Sequence, residues 1–173
     1  MEPYKQGKLD GLCGVYSLVN AEKIINDSNQ QESEEIFRKI ISYLDTTKNL
    51  SRIITDGLNI NVIGEVLKNI EELKIDREMP FRGEPKTELN FFWKKMQSFL
   101  DTPSRVIFLG IGGKHDHWSV VQSITDKRIN FFDSDGLMFF NRINCTTQEP
   151  YGDRIHQILP THTYFMSRCP WSC

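Results

Sequence analysis

Arg105-Val106-Ile107-Phe108-Leu109-Gly110-Ile111-Gly112-Gly113-Lys114-His115-Asp116-His117-Trp118-Ser119-Val120-Val121 is the stretch whose reading decides the fold. The β-branched and aromatic run from Arg105 to Gly110 reads as a buried strand, and Gly112-Gly113-Lys114 as the turn that ends it. His117 to Ile124 then reads as the returning strand. Toward the C-terminus, Arg128 to Asp133, Leu137 to Ile143 and Thr161 to Met166 complete an antiparallel set. Toward the N-terminus the apolar spacing is helical. The spacing predicts a helix from Cys13 to about Asp27, a second beginning at Ser33, a third from Asn59 to about Leu73 and a fourth from Thr87 through Leu100. Helices first and strands afterwards argue for an α+β fold. The expected organisation is one domain over residues 1–173, with a mainly helical lobe (1–102) packed on a mainly antiparallel sheet (103–173).

The bulk numbers exclude several function classes. A chain of 173 residues is one domain on length priors and buries roughly 70% of its unfolded surface. A formal net charge of -2 gives no case for nucleic acid or an anionic membrane surface. No apolar run approaches the roughly 20 residues needed to span a bilayer. Met1-Glu2-Pro3-Tyr4-Lys5-Gln6 lacks the charged-then-apolar layout of a secretory signal, so the expected location is a reducing cytoplasm, or another cell reached by a non-Sec route. The four cysteines (Cys13, Cys145, Cys169, Cys173) are accordingly read as thiols. A disulfide or metal at Cys169-Pro170-Trp171-Ser172-Cys173 is the lesser reading.

Two distant segments carry chemistry. In Gln6-Gly7-Lys8-Leu9-Asp10-Gly11-Leu12-Cys13-Gly14 a thiol stands in what reads as the first turn of a helix, where partial positive charge favours a thiolate. Asp10-Gly11 supplies a flexible turn before it, and Gly14 leaves room for a carbonyl to approach the backbone amides. Gln6 offers a side-chain amide that, with the Cys13 N–H, suits an oxyanion hole. The alternative for Cys13 is a buried structural cysteine.

His117 opens an amphipathic strand, so a rigid element holds it. Asp133 and Asp135 share a parity on the next strand, and both are candidates to orient the imidazole. Turn arithmetic does not separate them: a three-residue turn sets His117 opposite Asp135, a five-residue turn opposite Asp133. Asp135-Gly136 looks like the chain reversal, whereas Asp133 follows Ile129, Phe131 and Phe132 and looks inward. Asp133 is therefore favoured. His115-Asp116-His117 also permits a zinc reading, but nothing supplies a second cluster of ligands. His156 and His162 have ordinary surface or core readings. Trp118 reads as a core residue or as a shield over the His–Asp hydrogen bond, and Phe91-Phe92-Trp93 as helix core.

Gln, then Cys-Gly at a helix start, then His-Trp-Ser-Val at a strand start, then Asp sixteen residues after the His, resembles the papain-like cysteine peptidase superfamily. The chain looks closest to compact bacterial branches, the bacteriocin-leader (C39-like) peptidases and the effector proteases and glutamine deamidases with a Cys-His-Asp triad. The resemblance implies a helical lobe carrying the Cys helix and an antiparallel sheet carrying His and Asp. It implies Cys13 as nucleophile, His117 as base, Asp133 as orienter and Gln6 as oxyanion donor. The expected activity is amide cleavage through a Cys13 thioester on a protein or peptide, with no metal or organic cofactor. Glutamine deamidation or transamidation of a host protein is the runner-up, and a non-catalytic scaffold that binds a partner protein is the rival from another class.

Overall fold

The computed structural model of the chain describes residues 1–170. Helices α1 (Cys13–Asn26), α2 (Gln30–Thr47), α3 (Leu50–Asp56) and α4 (Ile60–Asn69) come first, and a short 3-10 turn at Glu71–Leu73 follows them. Then come strand β1 (Ile75–Glu78), helix α5 (Leu89–Leu100), and strands β2 (Arg105–Gly112), β3 (His117–Ile124), β4 (Arg128–Phe131) and β5 (Phe139–Asn141). A 3-10 turn at Arg142–Asn144, β6 (Cys145–Thr146) and the long β7 (His156–Arg168) complete the described chain.

The strands form one seven-stranded sheet in the order β1-β7-β2-β3-β4-β5, with β6 paired to β7. The α+β class is as expected from the sequence. The pairings are antiparallel except β6 with β7, which is parallel. The sequence reading had no β1, although Ile75 to Glu78 pairs with Arg168 to Phe165 at the edge of the sheet. Four residues with charges at three of them give no period-2 signal, and β7 alone recruits them.

β2 explains how the layers meet. Val106 and Phe108 belong to one core with Leu18 and Ile25 of α1, Ile40 of α2 and Ile63 of α4. Ile107, Leu109 and Ile111 belong to a second core with Phe92, Trp93 and Met96 of α5. Alternate residues of a strand face opposite sides, so helices cover the sheet on both faces. This accounts for the unbroken apolar run in β2. The helices of residues 1–102 are thus divided between the two faces, with α5 apart from α1–α4. Phe92 and Trp93 are core as expected, while Phe91 is half exposed.

Helix starts follow their caps. Asn29 and Glu32 form a reciprocal capping box, with Glu32 N–H to Asn29 Oδ1 at 3.2 Å and Asn29 N–H to Glu32 Oε2 at 2.8 Å. α2 therefore begins at Gln30, and Ser33 lies buried inside it rather than opening it. Asn49 caps α3 and Asn59 caps α4. α3 was absent from the sequence reading, though Asn49 before it and Gly57 after it are start and stop signals. Leu12, before α1, makes no side-chain cap.

β7 carries a large irregularity. Its ladder with β2 runs Leu109↔Thr163 and then Gly110↔Leu159, so Pro160-Thr161-His162 leave the register. Pro160 has no N–H to give a ladder. The expected strand at Thr161 to Met166 is the second half of this longer element. The lesser reading of a disulfide or metal at Cys169 and Cys173 falls partly outside the described residues, since Cys173 is not among them. Among the described residues no helix is long and apolar enough to cross a membrane.

Phe108 is fully buried between the layers and stacks on Trp118 with centroids 5.2 Å apart. Phe108→Ala is expected to lower the unfolding free energy by about 3–5 kcal/mol, measured by urea denaturation.

Candidate active site

Cys13 is the first residue of α1, and the N-cap position before it leaves the first-turn N–H groups without a side-chain acceptor. The loop leading to it is clamped rather than flexible. Asp10 accepts from Gly7 N–H (2.9 Å) through Oδ2 and from Leu12 N–H (3.1 Å) through Oδ1. Gly11 N–H donates to Ile54 O at 2.6 Å, and a Cβ on Gly11 would stand 2.9 Å from the Gly57 amide nitrogen. Gly11 is thus needed for close approach to the end of α3. Gly14 also differs from expectation. A Cβ there would meet Leu58 at 3.1 Å and Trp118 at 3.3 Å, so its missing side chain is filled by packing rather than left open.

His117 begins β3 and Asp133 lies just past β4. Their contact is Nε2 to Oδ2 at 2.7 Å. The turn between the strands is the three-residue Thr125-Asp126-Lys127, and Val121 pairs with Phe131. The same register, continued, sets Asp133 opposite Ser119 and Asp135 opposite His117. The imidazole nevertheless reaches Asp133 on the diagonal, which long side chains can do across an antiparallel pair. Asp135 is exposed, and it contributes only its backbone N–H, 2.8 Å from Asp133 Oδ1. Leu137 N–H reaches the same oxygen at 2.9 Å, and Ser119 Oγ donates to Oδ2 at 2.6 Å. Asp133 is 3% exposed with four donors on its carboxylate.

These contacts set the charges. Burial raises the Asp133 pKa, but the hydrogen bonds from His117 and Ser119 and the nearby imidazolium prevail, and it lies below the usual carboxylate value. Burial likewise works against a charged His117. The hydrogen bond to Asp133, hydrogen bonding with Cys13 and the charges of both outweigh it, and the pKa is pushed up to about 10. With Nε2 engaged by Asp133, Nδ1 is the nitrogen left for the thiol. Cys13 Sγ is 4.0 Å from Gly11 O, the outer limit for a thiol hydrogen bond, so no close acceptor competes with the imidazole.

Gln6 is tied to the residue that follows Asp133. Its N–H donates to Ser134 O at 3.0 Å, and Ser134 Oγ donates to Gln6 Oε1 at 3.3 Å. The arm is held upstream by the buried Asn20 of α1, which accepts from Tyr4 N–H (2.8 Å) and donates to Tyr4 O (3.1 Å). Trp118 bridges helix and sheet. Its Nε1–H donates to Leu58 O at 2.7 Å, and Ser17 Oγ of α1 donates to Trp118 O at 2.9 Å.

A groove of about 590 Å³ adjoins the imidazole, and its lining includes Leu58, Asn59, Trp118 and His162. His162 comes from the irregular part of β7, so its position there had no sequence signal. Asp116, directly before His117, has φ 40°, a left-handed conformation that Asp tolerates. His115 points elsewhere: its Nε2 meets His156 Nδ1 at 3.0 Å, and His156 stacks on Phe140 at 3.8 Å. Among the described residues no three His, Cys, Asp or Glu side chains are grouped to hold a metal ion.

Comparison with known protein families, with curated proteins and with solved structures finds no match to this chain.

The ion pair has a definite pH signature. Asp133, lowered from 3.8, contributes stability that is present above that value and lost as pH falls further. His117, raised from 6.5, contributes stability that is complete below that value and lost as pH rises toward about 10. The melting-temperature difference between the native chain and Asp133→Asn is expected to be largest between the unfolded-state values, about pH 4 to 6.5, and to shrink on both sides. Asp135→Asn, measured in parallel, is expected to leave the profile unchanged; an equal effect of the two would contradict the assignment of the carboxylate.

Proposed function

We propose that the chain is a papain-like cysteine hydrolase that cleaves an amide bond through a thioester on Cys13. One observation carries the reading: a thiol at an uncapped helix N-terminus neighbours an imidazole whose far nitrogen is tied to a buried carboxylate. The thiol lies more than a hundred residues before the imidazole and the carboxylate sixteen after it, and the order Cys, His, Asp is that of the papain-like branches noted above.

Each residue has a defined task. His117 Nδ1 takes the Cys13 proton, giving a thiolate–imidazolium pair that Asp133 stabilises through Nε2–H. The thiolate attacks the carbonyl carbon, forming the C–S bond, while the Cys13 N–H and the Gln6 side-chain amide receive the oxyanion. Collapse breaks the C–N bond as His117 protonates the departing amine. Water, deprotonated by His117, then attacks the thioester, and the acid leaves as the thiol is restored.

A groove that runs from His117 to Asn59 and His162 supports a peptidase acting on an extended peptide or protein segment. No organic cofactor or metal enters this chemistry. The same machinery would deamidate a glutamine side chain if that were what the groove admitted.

The first test is iodoacetamide labelling resolved by mass spectrometry. Cys13 is expected to label rapidly below about pH 6 and to lose that reactivity in His117→Ala. Cys145, whose thiol is pushed up to about 12 by burial, serves as the internal unreactive control. Ordinary thiol behaviour at Cys13 would instead favour a non-catalytic scaffold. The second test follows peptide-bond cleavage and ammonia release from a mixed protein substrate. Cys13→Ala is expected to remove turnover by a factor of about 10³ or more while moving the melting temperature by only a few degrees. Ammonia release without new amino termini would make the activity a deamidation.

A further inference from the structure

The side chain at Ser119 has an arrangement that burial alone does not require. Ser119 is fully buried in β3, two residues from His117, so the two side chains project from the same side of the strand. Both end on one atom: Ser119 Oγ donates to Asp133 Oδ2 at 2.6 Å, and His117 Nε2 meets that oxygen at 2.7 Å. The ordinary solution for a buried serine is seen nearby in Ser17, which donates to the backbone carbonyl of Trp118 at 2.9 Å. Ser119 instead adds a fourth donor to a carboxylate already held by two backbone N–H groups and an imidazole.

We propose that Ser119 is a positioning residue of the active site. Its hydroxyl locks the Asp133 carboxylate so that Oδ2 meets His117 Nε2 and keeps the other imidazole nitrogen toward Cys13. The inference rests on the Cys-His-Asp reading of the preceding subsection.

The physical logic is a division of labour on one carboxylate. The two backbone donors from Asp135 and Leu137 hold Oδ1 alone. With Oδ1 as the only fixed point the group pivots, and Oδ2 follows the imidazole rather than directing it. Ser119 fixes Oδ2 with a donor that does not titrate. The carboxylate therefore stays in place as His117 gains and loses its proton in the cycle. Hydrogen bonds to a buried charge are the strong ones, and a closed site offers no water to replace a missing hydroxyl. The other titratable groups near this carboxylate, Cys13 on α1 and His115 before β3, are the same in every variant below.

The experiment is the pH profile of Cys13 alkylation in a double-mutant cycle of Ser119→Ala with Asp133→Asn. Ser119→Ala is expected to slow labelling at pH 5 about tenfold and to move the acid limb up by about one pH unit, because a less firmly held carboxylate stabilises the imidazolium less. In the Asp133→Asn background the same substitution is expected to change nothing further. Coincident profiles for the native chain and Ser119→Ala, or an equal loss in both backgrounds, would overturn the assignment and leave Ser119 as packing. Ser119→Thr against Ser119→Val repeats the comparison at equal shape should the alanine variant fail to fold. Thr is expected to keep the native limb and Val to lose it. The native profile itself separates the two levels. If unsubstituted Cys13 shows no labelling at low pH, the catalytic reading falls and the role of Ser119 in it falls too. If it does, and Ser119→Ala is silent, only the Ser119 assignment fails.

Discussion

An ionised carboxylate at 3% exposure is the constraint around which this end of the molecule is built. Moving such a group out of water is costly by several kcal/mol unless donors replace the lost hydration. Asp133 obtains four, and each one fixes a piece of backbone. Two N–H groups reach it only because the chain leaves the ladder after Phe131 and turns back through Gly136, whose φ of 86° suits a residue without a Cβ. Ser119 and His117 reach it only if β3 and β4 keep the register set by Val121↔Phe131. The carboxylate thereby specifies the strand pairing, the turn and the orientation of the imidazole together.

The next residue extends that control to the N-terminal arm. The Ser134 carbonyl and hydroxyl hold Gln6, so one dipeptide, Asp133-Ser134, fixes the imidazole and the N-terminal amide alike. The helical side is fixed by different means. Three of the helices that pack there begin on asparagine caps, at Asn29, Asn49 and Asn59, which consume their first-turn donors. α1 begins at the thiol without such a cap. Its position comes instead from tight contacts of Gly11 against Gly57 and of Gly14 against Leu58 and Trp118. The helix start is held by sterics, and no side chain caps its first-turn amides.

Much of this was legible in local signals. The helix at Cys13, the β-branched run at Arg105 and the inward look of Asp133 each follow from residue type and period over a short window. What was misread has identifiable causes. Ser33 looked like a helix start because acidic residues follow it, but the capping box at Asn29 and Glu32 is the stronger device. Gly11 and Gly14 read as freedom and room, whereas the space of their missing Cβ atoms is bounded by neighbours from α3, the connection after it and β3 that lie more than forty residues away. Ser119, a serine within an apolar strand, carries no local mark of what it faces.

The amino-acid sequence by itself determined the α+β class, the helical thiol, the strand-borne imidazole and the candidate carboxylate, because periodicity and capping act within a turn or two of chain. Tertiary structure alone decided that helices would cover both faces of the sheet, that β1 and β6 would join it, and that the imidazole would meet Asp133 diagonally with Ser119 on the same oxygen. Those outcomes depend on register and on which atoms fill the space left by a missing side chain. Both are set by packing between segments far apart in the chain, where a local pattern carries no information.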